Sequence, residues 1–323
     1  MKKLVISSSP HIHSGASTRR VMLDVLIALL PASVAAVWLF GLRALLILVT
    51  TTATAVLAEL VFCLLAKKDR TIGDLSAAVT GLLLGLNLPL TATVWQCVVG
   101  TLFAIIVVKC LFGGLGCNFA NPAITARIFL FLSFSGTLAG SVIPTKFESF
   151  KEFLNVGPSV ELVTGATPLA IMQSGKGALP TVLEMLLGQR GGSIGETCGI
   201  AILIGFVYLL IRRVISWHTP VIFVGTVFVL SMIITADPYY ALMQVLSGGL
   251  LLGAVFMATD YVTTPITRGG KCLFALGCGV ITVLIRFYGS YPEGVSFAIL
   301  FMNILTPYIE KWTGRKPLGG AKA

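Results

Sequence analysis

Charge is the scarcest property of this 323-residue sequence: only 11% of its residues are Asp, Glu, Lys or Arg. A soluble domain carries about 25%. Acidic residues are the rarer sign, 13 against 23 Lys and Arg, and there are three histidines. His11 and His13 sit far along the chain from His218, so they do not suggest a metal site. The seven cysteines, Cys63, Cys97, Cys110, Cys117, Cys198, Cys272 and Cys278, form no CxxC pair and no zinc spacing. Most lie in or beside apolar stretches, where a small polarizable side chain packs well. Cys117 differs in sitting within a Gly-rich break. These scarcities exclude a disulfide scaffold, a disordered chain and an ordinary soluble enzyme.

In their place stand hydrophobic residues, 56% of the chain, with a mean hydropathy of +0.95. The apolar runs are nearly continuous and lack the period-two alternation of a membrane β-barrel. The expected fold class is therefore all-α, a polytopic transmembrane helical bundle. A spanning helix needs about 20 mostly apolar residues. Ten segments qualify, near 21–40, 42–66, 74–90, 94–112, 123–143, 196–214, 219–236, 242–259, 271–288 and 294–312. The first 20 residues are polar, with no apolar core ahead of a small-residue cleavage site, so no cleavable signal is expected.

The net charge of +10 reads as orientation. With the N-terminus in the cytoplasm, 17 of the 23 cations fall at cytoplasmic span ends and 6 outside, which is the positive-inside pattern. Both termini are then cytoplasmic, and a nucleic-acid partner is not needed to explain the basic excess.

Half the chain length separates two copies of one motif. Gly81-Leu82-Leu83-Leu84-Gly85 returns as Gly249-Leu250-Leu251-Leu252-Gly253, and each leads into a polar break, Asn87-Leu88-Pro89 or Ala258-Thr259-Asp260. Asn121-Pro122 and Tyr291-Pro292-Glu293-Gly294 stand at a similar offset. Five spans per half would insert the second half upside down, the inverted-repeat plan of many transporters. The expected organisation is a cytoplasmic leader 1–20, a first membrane half 21–143, an extracytoplasmic loop 144–195, a second half 196–312 and a tail 313–323.

Polar or Gly-rich backbone at membrane depth must line protein or a cavity, because lipid satisfies none of its hydrogen bonds. Four such segments stand out. Phe112–Ala123 combines three glycines with Asn118 and Asn121, whose amides offer donors and acceptors to a polar heterocycle. Glu161–Ala170 has a Thr-Gly-Ala-Thr-Pro core inside a long loop, where a Thr hydroxyl serves equally well as a helix cap. Met257–Arg268 carries four threonines and Asp260. Ile285–Gly294 places aromatics beside Arg286 and Glu293. Among ionisable residues inside spans, Glu59 is the most internal, with Asp24, Asp74 and Asp260 nearer the ends; such groups often mark ion or proton paths.

Taken together, these segments resemble the D-type subunit of the Rnf electron-transport complex. That family is similar to the B-type subunit of the sodium-pumping NADH:quinone oxidoreductase. The resemblance runs along essentially the whole chain. It rests on Ser8-Ser9-Pro10-His11-Ile12-His13, the 113–123 segment, Thr164-Gly165-Ala166-Thr167, Trp217-His218-Thr219-Pro220, Phe256-Met257-Ala258-Thr259-Asp260 and Arg286–Gly294.

The resemblance implies an FMN joined through its phosphate to the last threonine of the Ser/Thr-Gly-Ala-Thr motif, here Thr167, by a separate flavin transferase. Glu161 stands where the family usually has Asp, and Thr164 where Ser is commoner. It also implies a non-covalent riboflavin nearer the cytoplasmic side, with Asn118 and Asn121 as candidates for its polar edge. Asp260 and Glu293 are candidates for lining a flavin site or an ion route, and Glu59 for coupling. The implied protein is a bacterial inner-membrane subunit that passes electrons between flavins. It would work with the other Rnf subunits, an extracytoplasmic flavoprotein among them, in a complex that links ferredoxin and NAD to Na⁺ or H⁺ movement. Two other readings stay open: a flavin-free channel or secondary transporter of inverted-repeat plan, and the quinone-reducing relative.

Overall fold

The structure, a computed structural model, describes residues 17–67, 71–138, 140–144, 165–175, 177–289, 291 and 293–314. The Ser8–His13 leader, Glu161 and Thr164 lie outside the described residues.

The described residues are helical, with no strand beyond an isolated bridge between Val142 and Gly192. Helix α1 (Thr18–Phe40) opens on Ser17, whose hydroxyl accepts from Arg20 N–H. Gly41, at φ 72°, turns the chain directly into α2 (Leu42–Leu65). After a 3-10 turn at Ile72–Asp74 come α3 (Ser76–Asn87) and α4 (Val94–Cys110), whose second half, Phe103–Cys110, is wound as a π-helix. Helix α5 (Pro122–Ser133) starts on the Asn121 cap and is followed by a single turn, α6 (Ser135–Leu138). Two short helices, α7 (Pro168–Ser174) and α8 (Val182–Leu187), precede the second half. That half comprises α9 (Gly199–Ile211), α10 (His218–Thr235), α11 (Pro238–Leu246), α12 (Leu250–Met257), α13 (Arg268–Tyr288) and α14 (Val295–Thr313).

A helix occupies each of the ten expected segments, yet among the described residues only α1, α2, α10 and α13 are long and apolar enough to cross a bilayer alone. The α11–α12 pair makes a fifth if counted as one span, bent by 64°. The fifth expected span, 123–143, ends early: α5 has 12 residues, about 18 Å of helix at 1.5 Å per residue. Its last residue meets Phe134, whose backbone leaves helical geometry.

The helices bury small residues and expose large ones. On α1, Ala28, Ala32 and Ala36 face inward, while Leu30, Val34 and Trp38 face out. This is membrane packing, in which small residues let backbones approach and large apolar ones meet lipid. Trp38, Tyr288, Trp312 and Tyr308 are exposed near helix ends, where aromatic side chains sit at the bilayer interface.

The two Gly-Leu-Leu-Leu-Gly copies differ in local structure. The first lies inside α3, pressed against α2: a Cβ on Gly81 would stand 2.7 Å from Thr51 O. The second spans the bend between α11 and α12, where a Cβ on Gly253 would stand 2.7 Å from a Val295 methyl on α14. Both copies serve close approach, against different partners. Gly81→Ala is expected to cost about 1–3 kcal/mol through overpacking against backbone that cannot move aside. Gly73→Ala, which meets nothing within 4 Å, should leave stability unchanged. Thermal unfolding in detergent compares the two, and equal midpoints would contradict the close α2–α3 contact.

Candidate functional site

A polar-lined cavity of about 80 Å³ lies between the halves. Its polar lining comes from Ser76, Thr80, Lys109, Asn118, Asn121 and Asp260, and its apolar walls include Leu83, Leu209 and Phe256. Two interrupted helices create it. The π-turns of α4 end in Gly113, Gly114 and Gly116, all at positive φ between 95° and 120°. Only glycine accepts that run without strain, and it swings the chain back so that Asn118 and Asn121 reach the cavity. From the other half, α12 ends in π-turns at Gly253–Met257, and the following loop brings in Asp260. π-turns within helices are frequent at functional sites.

The two breaks are tied together. Asn121 Oδ1 accepts from Ala123 N–H at 3.0 Å and so caps α5, while its Nδ2 donates to Met257 O at 3.5 Å. Asn303 on α14, with its amide turned to satisfy both neighbours, accepts from Asn121 N–H and donates to Thr263 O, each at 3.1 Å. Asp260 accepts from the Thr263 hydroxyl at 3.0 Å. Burial pushes its carboxyl above the ordinary range, opposed in part by the Thr263 and backbone hydrogen bonds. Asn118 Oδ1 is buried without a hydrogen-bond partner, an acceptor left for whatever fills the cavity.

The resemblance motifs converge, then, as far as Asn118, Asn121 and Asp260. Glu59 lies behind the cavity wall and pairs with Lys109 at 2.8 Å. Glu293 belongs to a different centre. There Arg127 of α5 donates to Asn87 Oδ1 and Ser296 Oγ, both at 3.1 Å, to Ser193 Oγ at 3.3 Å, and to Glu293. Glu196 approaches Arg127 at 4.0 Å, is 3% exposed, and its Oε2 has no hydrogen-bond partner. A Cβ on Gly249 would touch both Arg127 and Glu196, so the second glycine motif makes room for this centre. Arg286 does not pair with Glu293 directly; it donates to Gln244 O, Gln244 Oε1 and Ser247 O across the α11–α12 bend.

Four cations counted above as span-end charges are interior groups: Lys109, Arg127, Arg190 and Arg286 are buried or largely so. Arg190 closes its own loop by donating to the Glu196 and Thr197 carbonyls. Residues 190–197 are all buried and pair with the end of α3, Gly195 N–H with Leu86 O and Ile194 N–H with Leu88 O. Sequence reasoning missed this buried segment because nothing in its composition distinguishes it from a polar surface loop. The one available signal was an Arg and a Glu flanking Gly-Gly-Ser.

Thr167 stands apart from the cavity. It caps α7, its Oγ1 accepting from Ala170 N–H at 3.1 Å, so the capping reading of this hydroxyl holds. Among the described residues its O–H has no acceptor. Gly165 is held on both sides by Ser141 and packs where a Cβ would collide with the Ile143 side chain, while Ala166 is exposed. Helix α7 docks on the second half through Gln173, which donates to Gly289 O, and Leu169, which lies against Gly248.

Fold and site define a class: a helical membrane protein whose interrupted helices enclose a polar-lined cavity and a separate buried charge centre. A sequence profile of the NQR2, RnfD, RnfE family matches residues 5–319. The D-type subunit of the Na⁺-translocating ferredoxin:NAD⁺ oxidoreductase complex of Acetobacterium woodii is 44% identical over 322 residues, covering 99% of this chain and 96% of that protein. The D-type subunit of the proton-translocating ferredoxin:NAD⁺ oxidoreductase complex of Clostridium ljungdahlii is 40% identical, covering 95% and 94%. Its counterpart in the ion-translocating oxidoreductase complex of Halorhodospira halophila is 38% identical, covering 99% and 97%. The chain belongs to the NQR2, RnfD, RnfE family.

Arg127→Met leaves Glu196 and Glu293 without their cation. Breaking a buried pair costs about 3–5 kcal/mol; the lower end is expected because Glu293 is a third exposed. Adding Glu293→Gln should recover part of the loss. Thermal unfolding of the single and double variants in detergent checks this, and strict additivity would show that the two side chains act independently.

Proposed function

We propose that this chain is the electron-carrying membrane subunit of an ion-translocating ferredoxin:NAD⁺ oxidoreductase complex, holding two flavins. The observation that carries the reading is the cavity. Asn118 presents an unpartnered buried acceptor, Asn121 a weakly engaged amide and Asp260 a carboxylate, in a chain whose relatives are subunits of such complexes. The donors and acceptors of that lining match the polar edge of a heterocycle such as riboflavin, and its apolar walls the ring faces. A bound flavin supplies one-electron steps; the protein's part is to orient it and tune its electronics.

The second flavin in this reading is an FMN, attached through its phosphate to Thr167 by a flavin transferase. Two features support it. The Thr167 hydroxyl has no acceptor among the described residues, and Gly165-Ala166 leaves its approach open. Thr164 and Glu161 complete the transferase motif. Outside the bilayer this FMN would exchange electrons with an extracytoplasmic flavoprotein subunit.

The same reading holds ten membrane segments in two inverted halves with both termini cytoplasmic, in the bacterial inner membrane. Removing the two interior cations from each side leaves 15 against 4, which sharpens the positive-inside asymmetry. Glu59 and Glu293 are the carboxylates assigned to the ion route. Each is held by a buried cation, Lys109 or Arg127, with which a passing Na⁺ or H⁺ must compete.

Expressed with a flavin transferase, the chain should fluoresce as a flavoprotein on a denaturing gel. Thr167→Ala should abolish the band and Thr167→Ser should keep it. A dark wild-type band would sink the covalent attachment.

The non-covalent flavin makes a separate prediction. Asn118→Leu removes the unpaired acceptor and should weaken riboflavin retention about 10–100-fold, the worth of one buried hydrogen bond, with the covalent band unchanged. Acid extraction of the purified complex measures it; full riboflavin content in the variant would move the site elsewhere.

A further inference from the structure

One wall of the cavity carries a lysine whose second hydrogen bond the reading above does not use. Lys109 is 1% exposed, placed by the π-winding of α4, and it lines the cavity. Its Nζ donates to Glu59 Oε1 at 2.8 Å and to Ser76 Oγ at 2.6 Å. An ammonium has three protons to donate, so one remains beyond these two bonds. Ser76 Oγ in turn donates to Asp74 Oδ1 at 2.6 Å, and Ser76 N–H to the same oxygen at 2.8 Å. Asp74 closes the 3-10 turn Ile72–Asp74, partly exposed, beside the exposed Thr71 and Gly73. Three side chains thus form an unbroken hydrogen-bonded line from the surface of the molecule to the wall of the cavity.

Burying a lysine is costly unless it is paired, and the pairing here is more than packing needs. Glu59 alone answers the charge. Thr71 Oγ1 donates to the same Glu59 Oε1 at 2.8 Å, and Glu59 Oε2 has no partner. The Ser76–Asp74 branch adds nothing to that charge balance, but it does reach water.

We propose that Asp74, Ser76 and Lys109 form a proton relay that delivers protons from the aqueous face to the ligand in the cavity as that ligand is reduced. The inference rests on the reading of the cavity as a flavin site. An electron arrives from the other redox subunits of the complex. With a flavin bound and reduced there, Lys109 would give it one Nζ proton, the Nζ–H bond breaking as the ring nitrogen takes the proton. The neutral amine then takes the Ser76 Oγ proton as Ser76 Oγ receives one from Asp74, which has first taken it from a hydronium ion and turned from acceptor to donor toward Ser76. Each turn moves one proton inward for one electron, while the 2.8 Å contact with Glu59 holds Nζ in place. The titratable groups around this line are Glu59 from α2, Asp74 from the 3-10 turn, and Asp260 and Tyr261 from the loop after α12 on the opposite wall.

Lys109 is a poor test residue, since its loss strands Glu59 in the interior. Ser76 and Asp74 are better, because neither is needed to neutralise a buried charge. The assembled complex is purified with Ser76→Ala, Asp74→Asn or the conservative Ser76→Thr in this chain. Its riboflavin content is measured, and flavin bleaching by dithionite is followed by stopped flow in H₂O and in D₂O. With riboflavin retained, Ser76→Ala and Asp74→Asn should slow the solvent-isotope-sensitive phase about 100-fold, the contribution of a positioned proton donor. Ser76→Thr should restore it. Wild-type rates and an unchanged isotope effect in Ser76→Ala, at full riboflavin content, would overturn the relay while leaving the flavin site intact. A wild-type complex without riboflavin would overturn the flavin reading itself and the relay with it.

Discussion

Hydrocarbon offers no hydrogen bonds, and most of this architecture follows from that single constraint. A helix that stops inside a bilayer exposes backbone groups that only protein can satisfy. Here the interrupted helices stop against one another. The end of α3 and the end of α12 abut, with Asn87 Nδ2 3.7 Å from Met257 Sδ. Asn121, Asn303 and Thr306 then stitch the loop carbonyls of the two breaks, Thr306 donating to Thr263 O at 2.9 Å. The buried 190–197 segment supplies amides to the end of α3. Several of these stops are thereby closed by polar groups brought from a distant part of the chain.

Those polar gatherings bring charge with them, and the charge is held in pairs. Lys109 with Glu59 and Arg127 with Glu293 are interior ion pairs at two different breaks; Asp24 and Arg212 make a third, more exposed pair at the helix ends. A buried pair is weak evidence for stability, because hydrophobic residues of equal volume often do as well. Arg127 makes the point most clearly: its guanidinium reaches α3, the 190–197 segment and the start of α14 at once. An apolar residue there would fill the space but tie none of the three together.

How much of this was legible beforehand depended on the kind of signal. Apolar run length located a helix in all ten segments, because that signal is local. It overstated α5, whose apolar stretch continues past Ser133 although the chain leaves helical geometry at Phe134. The glycines of Gly113–Gly116 and the Asn121-Pro122 cap were readable as a break, and the structure puts that break at the cavity. The buried cations were not readable. Lys109 and Arg127 lie at the ends of apolar runs, where a snorkelling surface cation would also lie, and only the positions of Glu59 and Glu293 in space distinguish the two cases.

The two polar centres draw on the chain in a crossed manner. The cavity joins the break before α5 to the loop after α12; the Arg127 centre joins the end of α3 to the residues just ahead of α14. Each takes the end of the third helix from one half and the start of the fifth from the other. The inverted-repeat reading proposed above accounts for this exchange. Neither half contains a complete centre; the Asn87–Met257 contact lies where the two meet. The two centres also differ in chemistry. Lys109 in the cavity has a hydrogen-bonded line to the surface through Ser76 and Asp74, whereas Arg127 bonds only to interior partners and the partly exposed Glu293. A centre with a donor line can exchange protons, and an arginine, which stays charged at any physiological pH, can only fix a field.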